Sequence, residues 1–444
     1  MNEKDLLTGL SHIDEKYVED ARCAKKPYFR TVIIRWAGIA AVLAVIFGII
    51  GSLGNIAAPV QAEDLMEGIQ ANPVEPTPLD AVTPKIMDFG LRLLNQVNEG
   101  NQNTLISPLS VLYALAMTAN GAEGETLAEM ELVLGMETQE MNDWLYSFAR
   151  KIDASQLKAA NSIWFVDDVT FQVNQNFLQT NADYFGADIY KSAFDQTTLD
   201  DINNWCKDRT DGMIPKVLEE IPEGMVMYLI NALCFDAEWE EQYEKNQVRP
   251  DQFYLANGME ITTEFLFSKE KWVLMDENAV GFLKPYKGEK YAFAALLPED
   301  GMHISQYLES LTGEKLNGIL SGAVWSEVSV SIPSFETDTD AELIEPLKEM
   351  GMVKLFDKDQ ADLTRLGRSP EGNIWVSKLL HKTYMKLDAH GTKAAAIAIG
   401  GASRPTSAPV PPEIIYLDRP FVYMIVDLET GVPVFLGVMM NPST

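Results

Sequence analysis

Histidine and cysteine, which carry much of enzyme chemistry, are almost missing from these 444 residues: there are four of the first and three of the second. Cys23, Cys206 and Cys234 lie far apart with no C-x-x-C or Cys/His spacing, so the pattern offers no zinc site, and no other metal or cofactor is expected. Only Cys206 and Cys234 could pair. Buried free thiols are the expectation, and the fold must then be held by its core. The histidines assemble no catalytic group. His12 precedes a long apolar run, and His303 follows the turn signal LPEDG. His381 sits in the apolar stretch VSKLLHKTYMKL, where a lone imidazole is more often a hydrogen-bonded core residue than a base. There is no G-x-S-x-G elbow, no H-E-x-x-H, no phosphate loop and no dinucleotide fingerprint. The carboxylates show no pairing on a common face. An enzyme, a surface hydrolase included, is not expected.

Positive charge is also scarce. Thirty-five Lys and Arg against 65 Asp and Glu give a formal charge of -30, with no basic cluster in the body of the chain. Nucleic acid is excluded as a partner on electrostatic grounds, and the acidity keeps a monomer dispersed. One stretch lacks charge altogether: Trp36–Leu53, WAGIAAVLAVIFGIIGSL. It is long enough to be a membrane-spanning candidate. Lys25, Lys26, Arg30 and Arg35 precede it, and Glu63 and Asp64 are the first charges after it. The positive-inside bias then makes 1–35 cytoplasmic, 36–58 a transmembrane helix or signal anchor, and the rest external. Pro59-Val60-Gln61-Ala62 weakly resembles a signal-peptidase site, so the alternative is secretion after cleavage near Ala62.

Residues 59–84, with Pro59, Pro73, Pro76, Pro78 and Pro84 and no apolar period, have the composition of an extended linker. From 85 to 444 the chain reads as one body. IMDFGLRLLNQV is amphipathic at helical spacing, and Ser107-Pro108 offers a cap and a first-turn proline to LSVLYALAMTAN. A further helix is expected from near Thr126 to Gly135. Strand-like runs follow: AANSIWFV, MVMYLINALCFDAEW, VGFLKPY, YAFAALLP, WSEVSVSIPSF, EIIYL, FVYMIVD and PVFLGVMM. Helices dominate early and hairpins late, which makes this an α+β domain with large, mainly antiparallel sheets.

Several segments, taken in order, resemble the serpins over roughly four-fifths of the chain. They are NTLISPLSVLYALAMTANGAEGET, NSIWFV, INALCFDAEWEEQYEKNQVRPDQFY, KPYKGEKYAFAALLPEDG, VSVSIPSFETDTDAELIEPLKEMGMVKLFD, VSKLLHKTYMKLDAHGTKAAAIAIG and RPFVYMIVDLETGVPVFLGVMMNP. The resemblance implies a bacterial serpin, membrane-anchored or secreted, that inhibits a serine protease by forming a covalent complex with it. It also implies that Ser107, Pro108, Ser110, Asn231 and His381 form a polar cluster beneath the centre of the main sheet. A non-inhibitory binding module on the same fold is the alternative.

The resemblance gives a role to an odd stretch, Gly391–Glu413, GTKAAAIAIGGASRPTSAPVPPE, which is long for a loop in a compact domain. It matches the exposed reactive loop that serpins offer as substrate and, once cut, insert into the main sheet; such loop insertion is a known switching transition. In a strand, alternate residues share a face. Thr392, Ala394, Ala396, Ala398, Gly400 and Ala402 on one side are all small, as a strand entering a packed core must be. Lys393, Ala395, Ile397, Ile399 and Gly401 make the other side. The hinge is expected at Gly391, Thr392, Ala394, Ala395, Ala396 and Ala398. The family often has acidic residues near this hinge, where this chain has Ala389, His390 and Lys393, and a hydroxyl where Ala398 stands. Neither departure adds bulk on the inward side. Pro405 blocks cleavage after Arg404, and the family's spacing from the hinge lands on Pro405 itself; the resemblance then implies a loop about one residue longer, with the reactive bond at Thr406-Ser407 and Ser403-Arg404 and Ser407-Ala408 next. A small residue there suits elastase-like or subtilisin-like proteases.

Overall fold

The computed structural model describes residues 61–443 apart from 99, 101, 168–170, 223, 370–372 and 392–411. The expected cytoplasmic segment, the apolar run 36–58, and Thr392, Ala394, Ala395, Ala396, Ala398, Thr406 and Ser407 lie outside the described residues. Among the described residues no helix is long and apolar enough to cross a membrane.

Apolar periodicity decides what each early helix buries. Thr83–Val97 turns Ile86, Phe89, Leu93 and Leu94 inward. Pro108–Ala119 is apolar all round and buried at all of its positions. It starts where the Ser107 hydroxyl accepts the N–H of Ser110 at 3.1 Å. The third helix runs Gly124–Leu134 and is closed by Gly135 in the left-handed region, φ 73°.

The strands fall into three main groups. One sheet has the order β1-β5-β3-β6, with β1 (Glu63–Asp64), β3 (Leu157–Val166), β5 (Asp188–Ser192) and β6 (Met227–Phe235). Next to β6 lies an antiparallel pair, β12 (Phe335–Glu342) with β14 (Leu380–Leu387). A nine-stranded sheet has the order β15-β11-β8-β9-β10-β16-β17-β2, with β7 on β8. Its members are β2 (Thr104–Ile106), β7 (Val248–Tyr254), β8 (Glu260–Met275), β9 (Ala279–Pro285), β10 (Tyr291–Pro298), β11 (Val324–Pro333), β15 (Ile414–Tyr416), β16 (Phe421–Asp427) and β17 (Pro433–Met439). A short pair, β4 (Gln172–Val173) and β13 (Gly367–Arg368), stands apart.

Three expectations need correcting. WSEVSVSIPSF reads as one strand, yet the chain changes sheets inside it: β11 ends at Pro333, the Ser334 N–H makes a last bond to the Glu264 carbonyl on β8 at 2.8 Å, and β12 begins at Phe335. MVMYLINALCFDAEW is strand only over Met227–Phe235, and its last residues cross to other partners. The proline-rich segment after residue 60 is extended but not a free tether. Glu63 and Asp64 pair with Lys191 and Tyr190. The N–H groups of Gln61 and Ala62 donate to buried Asp201 at 2.9 and 3.0 Å. Asn72 bonds Asp183, and the Thr77 N–H donates to Ser147. Outside that short pairing, polar side chains on the body satisfy the segment's backbone.

The helix Gln196–Arg209, not expected from its polar composition, covers the outer face of β3 and β6. Leu199, Ile202, Trp205 and Cys206 on its inner side join Trp164, Tyr228, Ile230 and Cys234 in one buried cluster. The other face of β6 carries Met227, Leu229 and Leu233 into the main core. Period-two alternation thus divides β6 cleanly between two apolar layers. Cys206 and Cys234 are free and buried, and burial pushes both thiols up to about 12.

Candidate functional site

β6 and β14 run side by side in parallel, but among the described residues only one bridge, Leu229 to Leu379, joins them. The line between them is therefore a seam without a ladder. What closes it is at its two ends and from beneath.

Beneath the seam, polar side chains stitch β14 and β12 to the segment entering the helix Pro108–Ala119. The ring of His381 is buried, and its Nε2 accepts the N–H of Ser107 at 2.9 Å. The Thr383 hydroxyl donates to the Leu105 carbonyl at 2.8 Å, and the Leu105 N–H donates to Thr339 at 3.0 Å. Ser107, Pro108, Ser110 and His381 are thus together, all buried. Asn231 stands on β6 opposite Asn161, and its side chain lies outside the described residues. Thr339 and Thr383 belong to the same stitching but carry no sequence signal beyond a hydroxyl on an inward position of a strand.

Because Nε2 accepts, the neutral ring carries its proton on Nδ1. Burial lowers the His381 pKa from 6.5 to about 4. The sign follows from proton uptake. Above pH 6.5 neither state is protonated and the contribution is complete; from there down to about pH 4 the unfolded chain gains a proton that the folded ring refuses. Acidification across that window should therefore cost about 3 kcal/mol. The gap in urea-denaturation midpoint between wild type and His381→Gln should shrink by the corresponding amount between neutral pH and pH 4. A gap independent of pH would show that the ring is not held neutral.

At the upper end of the seam the base of the loop is held by Trp239 and Tyr243. The Trp239 indole N–H donates to the Asp388 carbonyl at 2.9 Å, and the Tyr243 N–H to the Ala389 carbonyl at 3.4 Å. Gly391 pairs antiparallel with Glu238. Gly391 has φ 60°, and a Cβ there would collide with the backbone and indole of Trp239, so the position admits only glycine. Trp239 is stacked on Tyr286 with ring centroids 4.5 Å apart. The described chain stops at Gly391 and resumes at residue 412, just before β15. In the sequence the signal for Trp239 and Tyr243 is the aromatic spacing W-x-x-x-Y directly after a strand.

The family follows from comparison with known proteins. A family model described as serpin (serine protease inhibitor) matches residues 84–442. The chain belongs to the serpin family. Leukocyte elastase inhibitor of Equus caballus is 30% identical over 381 residues, covering 80% of this chain and 97% of its own. Among solved structures, the thermophilic serpin tengpin in its native state is 41% identical with a TM-score of 0.79, covering 86% of this chain and 100% of that one. The same serpin in its latent state is 38% identical with a TM-score of 0.72, covering 84% and 100%. Serpins in general are non-catalytic inhibitors of serine and cysteine proteases that act as suicide substrates and end in covalent complexes.

Proposed function

We propose that this serpin inhibits a serine protease once per molecule, by cleavage of its loop and insertion of the cut strand into the seam between β6 and β14. One observation carries the reading. The pairing of Gly391 with Glu238 is antiparallel and sets a register. Extended residue by residue, it puts Thr392 opposite Ala237, Ala394 opposite Phe235, Ala396 opposite Leu233, Ala398 opposite Asn231, Gly400 opposite Leu229 and Ala402 opposite Met227.

Residues directly opposite in an antiparallel pair share a face. Ala237, Leu233, Leu229 and Met227 face the main core. In this register the small-residue side of the loop would face the packed side of the sheet. The other side follows equally well. Ile397 and Ile399 fall opposite Ala232 and Ile230, under the helix Gln196–Arg209, and Lys393 falls opposite exposed Asp236. A slip of one residue would drive both isoleucines into the core and the alanines under the helix. The bridge supports this register and the sequence supplies the alternation independently, so their agreement is not built in.

The pairing reaches the start of β6 at Ala402, leaving Thr406-Ser407 beyond it as the bond to be cut. Elastase-like or subtilisin-like proteases fit the small residue there, and the name of the Equus relative, leukocyte elastase inhibitor, points the same way. Export favours such a target: the apolar stretch Trp36–Leu53 would leave the inhibitor anchored on the outer face of the membrane, or secreted if cut near Ala62. Mixing the domain with such a protease should give a complex that survives detergent, with mass spectrometry placing the new end at Thr406. If every protease tried cuts the loop and departs active, inhibition is wrong.

A further inference from the structure

β9 carries one cation in an otherwise apolar strand. Lys284 is 2% exposed, and its Nζ donates at 2.8 Å to Oε1 of Glu270 on β8, itself 7% exposed. The same Nζ lies 3.4 Å from the Glu241 carbonyl. Ser268 donates to that Glu270 oxygen at 2.6 Å, and the Tyr243 hydroxyl is 3.3 Å from Ser268 Oγ. The ammonium also faces two rings, 4.5 Å from the centroid of Tyr243 and 5.3 Å from that of Trp239. Those are the two residues that hold Asp388 and Ala389 at the base of the loop.

A buried ion pair is a weak source of stability, because desolvation offsets the attraction and apolar residues of similar volume do as well. What it does supply is position: a cation with a fixed carboxylate partner can hold two aromatic rings in one place. We propose that Lys284 and Glu270 are positioning residues for loop insertion. They seat Trp239 and Tyr243 so that Gly391 stays paired with Glu238, the first rung of the ladder that the cut loop must extend. This rests on the inhibitory reading above. After cleavage two steps compete: insertion, which traps the acyl-enzyme, and attack of water on the acyl bond, which frees the protease. A first rung already in place favours insertion, since the ordering needed to begin pairing has been met in advance.

The test replaces the pair by apolar residues of similar size, Lys284→Met with Glu270→Leu, and titrates an elastase-like protease. The amount of inhibitor consumed per protease trapped should rise about fivefold or more, as expected for loss of the cation–ring contact. The second-order rate at which the loop is attacked should stay unchanged. A purely structural pair would alter the melting temperature and leave the consumption ratio alone. Tyr243→Phe, which removes only the hydroxyl joining that ring to Ser268, should raise the ratio about twofold; it carries the test if the double variant does not fold. An unchanged ratio in folded variants, with wild type still trapping the protease, would overturn this proposal alone. Failure of wild type to trap any protease would overturn the inhibitory reading and take this one with it.

Discussion

Thr392→Arg should turn the inhibitor into a substrate. The loop would be cut as fast as before, but the protease would leave active, and the inhibitor consumed per protease trapped would rise by roughly a hundredfold or more. The proposed register, extended from the bridge between Gly391 and Glu238, would put position 392 opposite Ala237, which is fully buried on the core side. A guanidinium forced there is desolvated without a partner. The control lies one residue further on. In the proposed register Lys393→Arg would fall on the opposite face, beside exposed Asp236, and should inhibit as wild type does. Loss of inhibition in both variants, or in neither, would contradict the assigned faces.

Cutting the loop without a target present should raise the melting temperature by about 13 °C or more. The inserted strand would pair with β6 on one side and β14 on the other, along a seam that now has a single bridge. On the order of ten new backbone hydrogen bonds, at ~1 kcal/mol each, are involved. For a domain of roughly 360 residues each kcal/mol moves the midpoint by about 1.3 °C. The uncut form is then held by a barrier, not by being the most stable arrangement. A binding module that keeps the fold without inserting its loop would melt at nearly the same temperature before and after the cut.

Local chemistry in the sequence carried much of this. The Ser107-Pro108 cap, the all-apolar helix after it and the alternation in Gly391–Ala402 are short-range patterns, and short-range patterns can be read directly. Ser107 and His381 were brought together by the family resemblance, because the 2.9 Å bond between them spans most of the domain and no local pattern encodes it. The chain's change of sheet at Pro333 was hidden for a different reason: β12, FETDTDAE, is rich in acidic residues that disfavour strands, so nothing in its composition marks a second strand after the proline. The helix Gln196–Arg209 was missed because its buried face is narrow and its other residues are polar. Lys284 gave a signal that was passed over, a single charge in the apolar run VGFLKPY. Its partner Glu270 lies on the neighbouring strand, in a context already rich in charge, FSKEKW.

The most direct measurement is a crystal structure of the domain after its loop has been cut. The account predicts a new strand between β6 and β14, antiparallel to both, with Thr392 opposite Ala237, Ala396 opposite Leu233 and the alanines facing the main core. A cut form in which β6 and β14 remain neighbours through Leu229 and Leu379, with nothing between them, would contradict it.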